Sequence, residues 1–373
     1  MGVNTIFRSI FAALAAFAAI LASGCAGGGS SDLPAKKQES SGGEPVRLRL
    51  ASSFNSTAPI HGESLLHLVG LIDSASAGRI KIKVYDPGKL VAPFEVLEAV
   101  SDGKVEAGFS VSGYWMGKMP AAPFFTSVPF GPDFSEFTAW LLAGNGMKLY
   151  QEMYDIYGFD VKVLLSAMTP PDASGWFTEE IRSPEDFRGL KMRIFGLGGN
   201  VMQKMGAAVN LLPAAEIFPA LEKRVIEATE YASPSIDEDL GFYKIAKFNY
   251  FPGWHQQVNA YELLVNRSVW NRLSESDKTI IEIACHATVL YSMSLAEATQ
   301  APAMIRNERD RGVKNLSWSP EMLELMREKW EEVADEKAAA DPFFDKVYRD
   351  YKKFREEYAV WGSKAYLPRG KSP

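Results

Sequence analysis

The strongest constraint on the fold is an alternation of strand-like and helix-like segments that runs twice along the chain. It begins at VRLRLASSF, where polar and apolar residues alternate from Val46 and stop at Ser52-Ser53. A helical stretch follows around Ser64–Ser76. Then come a second alternating run, RIKIKVYDPGKL, a helix at PFEVLEAVSDG and a short apolar strand at VEAGFSVS. A β–α–β–α–β rhythm of this kind demands parallel strand pairing with helices on the sheet faces, an α/β domain. A second set starts at the apolar strand VKVLLSAMT (161–169). It continues through GWFT, SPEDFRG, LKMRIFG, a helix from Gly199 to Met205, PAAEIFPALEKRV and VIEATEYA. After Asn259, AYELLVN reads as a strand returning to the first set. Residues 271–311 and 319–360 read as mostly helical, the latter charged and amphipathic. Two α/β lobes with the chain crossing between them imply a cleft. In open α/β sheets ligands lie beyond the carboxyl ends of the strands, which points to Ser52–Asn55 and Val111–Trp115.

The 373 residues, 47% hydrophobic and 23% charged, suffice for two domains with separate cores. The net charge is −6 and no dense Lys/Arg cluster occurs, which sets nucleic-acid binding aside. The N-terminus has one early cation, Arg8, an apolar run from Ile10 to Ala22 and small residues up to Cys25, the pattern of a secretory signal peptide over 1–24. Leu21-Ala-Ser-Gly-Cys25 resembles a bacterial lipobox, with Ala22 in place of the usual leucine. Cleavage there leaves Cys25 lipidated, and ordinary cleavage leaves it free; both predict export. Residues 25–45, rich in Gly, Ser and Lys, form a tether that spans roughly 25 Å. No later segment reads as membrane-spanning. The one other cysteine, Cys285, sits in a helical pattern and reads as a small core thiol.

Signatures of catalysis are missing. There is no GxSxG, HExxH or GxxxxGK[ST]. The glycines at 196, 198 and 199 fall short of a dinucleotide loop because position 201 is Val201. The four histidines show no zinc spacing. The chain is read as non-enzymatic. What it does offer is a set of polar groups at strand ends of the second lobe: Asp172 in TPPDASGWF, Arg193 in LKMRIFG, Glu230-Tyr231 closing VIEATEY, and Trp254-His255-Gln256 at the return crossing. Each permits a purely structural role; a lone strand arginine is commonly paired with a nearby carboxylate. Phe54, Tyr114, Trp115, Trp176 and Trp254 also fall at strand ends, as pocket walls or ordinary core.

SPEDFRGLKMRIFG, LPAAEIFPALEKRVIEATE and ELLVNRSVWNRLSESDKTIIEIA, in this order, resemble the DctP-type solute-binding proteins of TRAP (tripartite ATP-independent periplasmic) transporters. The likeness runs from about residue 46 to 360. The segments PFGPDFSEF, DEDLGF and FNYFPGW are most similar to the subfamily that binds 2-oxo acids. The resemblance implies a two-domain Venus-flytrap fold with a long bridging helix and a C-terminal helical extension. It implies domain I over 46–165 and 260–300, domain II over 166–259 and 301–345, and a C-terminal helix over 346–373 that swaps between the subunits of a homodimer.

The resemblance further implies that Arg193 clamps the substrate carboxylate, a role suited to a planar guanidinium. A cation, Na⁺ or Ca²⁺, bridges protein and substrate through Asp172, Glu230, the Tyr231 carbonyl and Gln256. The subfamily has Gln, Glu, Trp and Glu at these places, and hard oxygen donors suit those ions. Phe54, Tyr114 and Trp254 wall the substrate. The expected function is to bind a small 2-oxo or 2-hydroxy monocarboxylate and deliver it to TRAP membrane subunits. The alternatives are a ligand-sensing lipoprotein and a receptor for another organic acid, a dicarboxylate or sugar acid, for which Lys118 is the one further cation considered.

Overall fold

In the computed structural model of the protein, residues 45–367 are described. The expected leader, Cys25 and nearly all of the tether lie outside them. In chain order the strands are β1 (Val46–Ser52), β2 (Ile80–Tyr85), β3 (Ala107–Ser110), β4 (Val161–Thr169), β5 (Gly175–Phe177), β6 (Lys191–Arg193), β7 (Ala208–Asn210), β8 (Ala228–Thr229), β9 (Phe248–Phe251), β10 (Asn259–Asn266) and β11 (Lys314–Ser317). They form two sheets, ordered β2-β1-β3-β10-β4 and β11-β9-β5-β8-β6-β7. The expected parallel pairing holds for β1 with β2 and β3. β10 runs antiparallel between β3 and β4. It enters from the opposite lobe, so its direction follows from the crossing, which alternation of residues does not encode. β7, β9 and β11 escape the sequence pattern because none carries a clean two-residue period over its three or four residues.

The helices are α1 (His61–Ala75), α2 (Val96–Ser101), α3 (Phe134–Thr138), α4 (Gly146–Ile156), α5 (Gly196–Lys204), α6 (Ala214–Glu222), α7 (Pro234–Leu240), α8 (Arg267–Arg272), α9 (Glu275–Arg311), α10 (Pro320–Ala340) and α11 (Pro342–Ala365). α9 starts at Ser274, whose hydroxyl accepts from the Asp277 amide, and stops at left-handed Gly312. At 37 residues it spans about 55 Å. It packs along β4 and α1 of the first lobe and onto α7 of the second, so it bridges both. By length and hydropathy α9 qualifies as a membrane span, yet one side of it, with Ile281, Cys285 and Val289, is buried in the protein. Burial pushes the Cys285 thiol up, so it stays protonated and inert. The long helical tail breaks at Asp341. Pro342 has no amide to continue α10 and forces its predecessor extended, and the Asp341 carboxylate then caps α11.

The chain passes between sheets at β4–β5 and β9–β10, and α9 makes a third crossing. The loop after β3 is held from below. Trp115 Nε1 donates to Glu262 Oε1 at 2.9 Å, Tyr154 donates to Oε2 at 2.6 Å, and Tyr150 donates to the same oxygen. Burial raises the Glu262 carboxyl, and these three donors oppose that shift. The network satisfies a buried carboxyl with no cation and fixes the turn that carries Tyr114.

Candidate functional site

Side chains from both lobes close on one small cavity of about 30 Å³, space for about two waters. The first lobe contributes Phe54 from the loop after β1, His61 from the start of α1, Tyr114 from the turn after β3, and Asn259 and Tyr261 from β10. The second contributes Asp172, Arg193, Phe195, Tyr231 and Gln256. The lobes meet directly above it. The Tyr114 and Phe195 rings meet edge to face at 5.4 Å, and a Cβ on Gly113 would overlap the Phe195 ring. This is the shut form of the cleft.

Arg193 ends β6 and is 1% exposed. Its Nε donates to the Leu212 carbonyl at 3.2 Å. Its Nη1 donates to the Glu230 carbonyl and, at 3.1 Å, to Glu230 Oε2. The structural pairing considered from sequence is therefore present, together with exposure to the cavity. Among the described residues no hydrogen bond takes up Nη2, so that nitrogen is the one donor group of the guanidinium left uncommitted beside the cavity. Glu230 Oε2 also accepts the Phe195 amide at 2.9 Å. Burial acts to raise the Glu230 carboxyl, but Arg193, His255 and that amide together hold it below the usual carboxylate value.

Three side-chain oxygens here are buried without a hydrogen-bond partner among the described residues: Asp172 Oδ1, Glu230 Oε1 and Gln256 Oε1. Buried oxygens without a hydrogen-bond partner are costly, and an electropositive group among them would offset that cost. Local chain geometry brings them together. The Asp172 amide donates to the Gln256 carbonyl at 3.1 Å, stitching the two crossing segments, and the Gln256 amide nitrogen Nε2 is turned onto Asn259 Oδ1. Burial, then the charges of Glu230 and Asp237, pushes the Asp172 carboxyl well above its ordinary value. Donor atoms of Asp172, Glu230 and His255 lie within 4.8 Å of one another. Among the described residues no hydrogen bond reaches the Tyr231 carbonyl. These groups form an oxygen-rich set that fits a hard cation.

Phe54, Tyr114, Tyr231, Asp172, Arg193 and Gln256 line the cavity, and Glu230 stands just behind Arg193. Trp254 lies elsewhere: its ring stacks on Phe130 at 5.6 Å, off the cavity, while its carbonyl accepts the Phe130 amide. Trp176 and Trp115 are core residues bound to Asp237 and Glu262. Lys118 pairs with Glu98 at the surface and brings no second cation to the cavity. Gly196, with φ +61°, turns the chain from β6 into α5 behind the arginine.

His61, Asn259 and Tyr261 carry no sequence motif, while His255 and Phe195 lie in the quoted segments without a role that the sequence assigns. His61 and Tyr261 sit at element starts next to the expected ligand loops, the only signal that marks them. The His61 Nε2 and the Tyr261 hydroxyl are 2.8 Å apart. Burial lowers the His61 imidazole to about 3. Folding thus prefers the neutral ring, and below pH 6.5 the unfolded chain takes up a proton that the native state refuses. Stability from this group is full above pH 6.5 and declines as pH falls toward 3. Between pH 7.5 and pH 5 the loss is about 2 kcal/mol. Urea unfolding at the two pH values checks this, with His61→Gln expected to remove that share of the change.

The bacterial extracellular solute-binding protein family 7 model, DctP, matches residues 50–341. The chain is 38% identical over 284 residues to the monocarboxylate 2-oxoacid-binding periplasmic protein of Nostoc sp., covering 76% of this chain and 77% of that one. A TRAP solute-binding protein of Bordetella bronchiseptica, a dimer with copurified calcium and picolinate in one site, superposes with a TM-score of 0.83 at 29% identity, covering 87% of this chain and 95% of that chain. One from Pseudoalteromonas atlantica with bound sodium and pyruvate gives 0.82 at 30% identity, covering 86% and 97%. The family match over residues 50–341, together with the 38% identity to the Nostoc protein, makes this chain a member of the DctP family of bacterial extracellular solute-binding proteins.

Proposed function

We propose that the protein is the extracytoplasmic receptor of a TRAP transporter, that it takes a small 2-oxo monocarboxylate together with one Na⁺ or Ca²⁺ ion, and that it hands the acid to membrane subunits. The observation that carries this reading is that Arg193 is, among the described residues, the one permanent cation lining the cavity, beside three buried side-chain oxygens without a hydrogen-bond partner. One carboxylate needs one guanidinium. The Asp172, Glu230 and Gln256 side chains and the Tyr231 carbonyl would hold the cation, which draws in the substrate's carboxylate and its neighbouring oxygen. Asp172 supplies a carboxylate and Gln256 an amide oxygen, so the set keeps two formal negative charges against Arg193 and the ion. His255 Nε2, 3.5 Å from Glu230 Oε1, steadies the glutamate from behind. Phe54 and Tyr114 wall the carbon chain.

We assign the lobes to 46–165 with 260–300 and to 166–259 with 301–345; sheet membership supports this except at the edges, where β4 runs on to Thr169 and β10 starts at Asn259 within the first sheet. Export follows the character of the family, and anchoring through Cys25 rests on the lipobox resemblance. The dimeric Bordetella relative and the exposed Val360 and Trp361 of α11 support a homodimer.

Calorimetry of pyruvate, lactate, succinate and gluconate in buffer with Na⁺ and Ca²⁺ tests the reading. Pyruvate is expected to bind with a micromolar dissociation constant, about 8 kcal/mol. Preference for succinate or gluconate over pyruvate would overturn it.

A further inference from the structure

Three rings, Phe54, His61 and Tyr231, line the shut cavity and also the open cleft outside it. The inner space is about 30 Å³ and the outer about 480 Å³. The rings therefore form a partition one side chain thick. Centroids of Phe54 and His61 lie 4.7 Å apart, and those of His61 and Tyr231 6.1 Å apart.

The middle ring is rigidly placed. Ile60, which leads into α1, has φ +61°, a left-handed conformation that β-branched residues rarely adopt. The Glu63 carboxylate accepts the Ile60 amide at 2.8 Å, and Gly62 lies so close to the Ser56 carbonyl that a Cβ would collide with it. The ring is then tied to Tyr261.

We propose that this partition sets the chain length of the substrate, with His61 and Phe54 as the specificity-determining residues. The inference rests on the 2-oxo acid reading of the site. The carboxylate and the adjacent oxygen of such an acid are engaged by Arg193 and the oxygen cluster, so its carbon chain points to the rest of the boundary, which is aromatic apart from Val111, Thr126 and Asn259. Within that boundary the partition has a cleft of about 480 Å³ behind it. The cleft beyond is walled in part by Ala58, Pro59, Pro213 and Ala214, apolar surfaces that suit methylenes. Each buried methylene is worth about fourfold in affinity, so removing the partition converts rejection of a long acid into a gain.

Calorimetry with pyruvate, 2-oxobutanoate, 2-oxohexanoate and 2-oxooctanoate tests this on wild type, His61→Ala and Phe54→Ala, each checked for cooperative thermal unfolding. Phe54→Ala decides the matter should His61→Ala not fold. Wild-type affinity is expected to fall at least tenfold from pyruvate to 2-oxooctanoate. In the variants the ratio of long-chain to short-chain affinity is expected to rise at least tenfold. Pyruvate binding with an unchanged length preference in the folded variants, or wild-type binding of 2-oxooctanoate as tight as of pyruvate, overturns the partition alone. No binding of any 2-oxo acid by the wild type overturns the reading of the site, and the partition with it.

Discussion

Replacing Arg193 with alanine is expected to weaken pyruvate binding at least 100-fold and to destabilise the fold by about 3–5 kcal/mol. The two effects have separate causes. The lost contact between Nη2 and the substrate carboxylate is a charge-assisted bond in a water-poor site, worth up to about 3 kcal/mol there. The stability loss comes from Glu230. Its carboxylate is fully buried and kept ionised chiefly by the arginine 3.1 Å away. Without that partner it is an uncompensated buried charge. The double variant Arg193→Met with Glu230→Gln removes both charges and is expected to recover most of the stability while remaining unable to bind. Urea unfolding beside calorimetry separates the effects. Unchanged affinity in Arg193→Ala would show that the arginine is only a strut for Glu230.

Cation withdrawal is the second large effect. In a choline buffer with EDTA, pyruvate affinity is expected to drop at least 30-fold, and either Na⁺ or Ca²⁺ is expected to restore it. The unpaired Asp172 and Glu230 oxygens would otherwise face a third carboxylate across a cavity with one guanidinium. The cation is also expected to act without substrate. Present at 100 times its dissociation constant, it adds about 2.7 kcal/mol of stability, a rise of several degrees in melting temperature. Asp172→Asn is expected to shrink that rise. If neither ion moves the melting temperature or the affinity, the oxygen cluster is not a cation site.

Much of the architecture is legible in the sequence, for physical reasons. The period-two alternation in VRLRLASSF and RIKIKVY reflects two neighbouring parallel strands with one face more buried than the other, and β4 matches VKVLLSAMT from end to end. Arg193 stood out because a permanent charge in an apolar strand needs a partner. Its division of labour is hidden: that Nη1 and Nε serve Glu230 and Leu212 depends on contacts 37 and 19 residues away. Trp254 looked like a wall residue from its place at the crossing, but the turn directs its ring onto Phe130. His61 carries no motif at all. Its importance follows from where α1 begins and what α1 faces, and neither is a local property of the sequence.

The missing side chain at Gly113 has a consequence for signalling. Because the Phe195 ring occupies the space of a Cβ at that position, a single hydrogen separates a cleft that latches from one that stays ajar. Gly113→Ala inserts a spacer between the lobes and is expected to weaken pyruvate binding about tenfold, the cost of overpacking by one methyl. At saturating pyruvate its radius of gyration in small-angle scattering should stay closer to the ligand-free value than that of the wild type. A membrane partner that accepted only the latched shape would then sense cargo without touching it, through the arrival of one ring at one glycine.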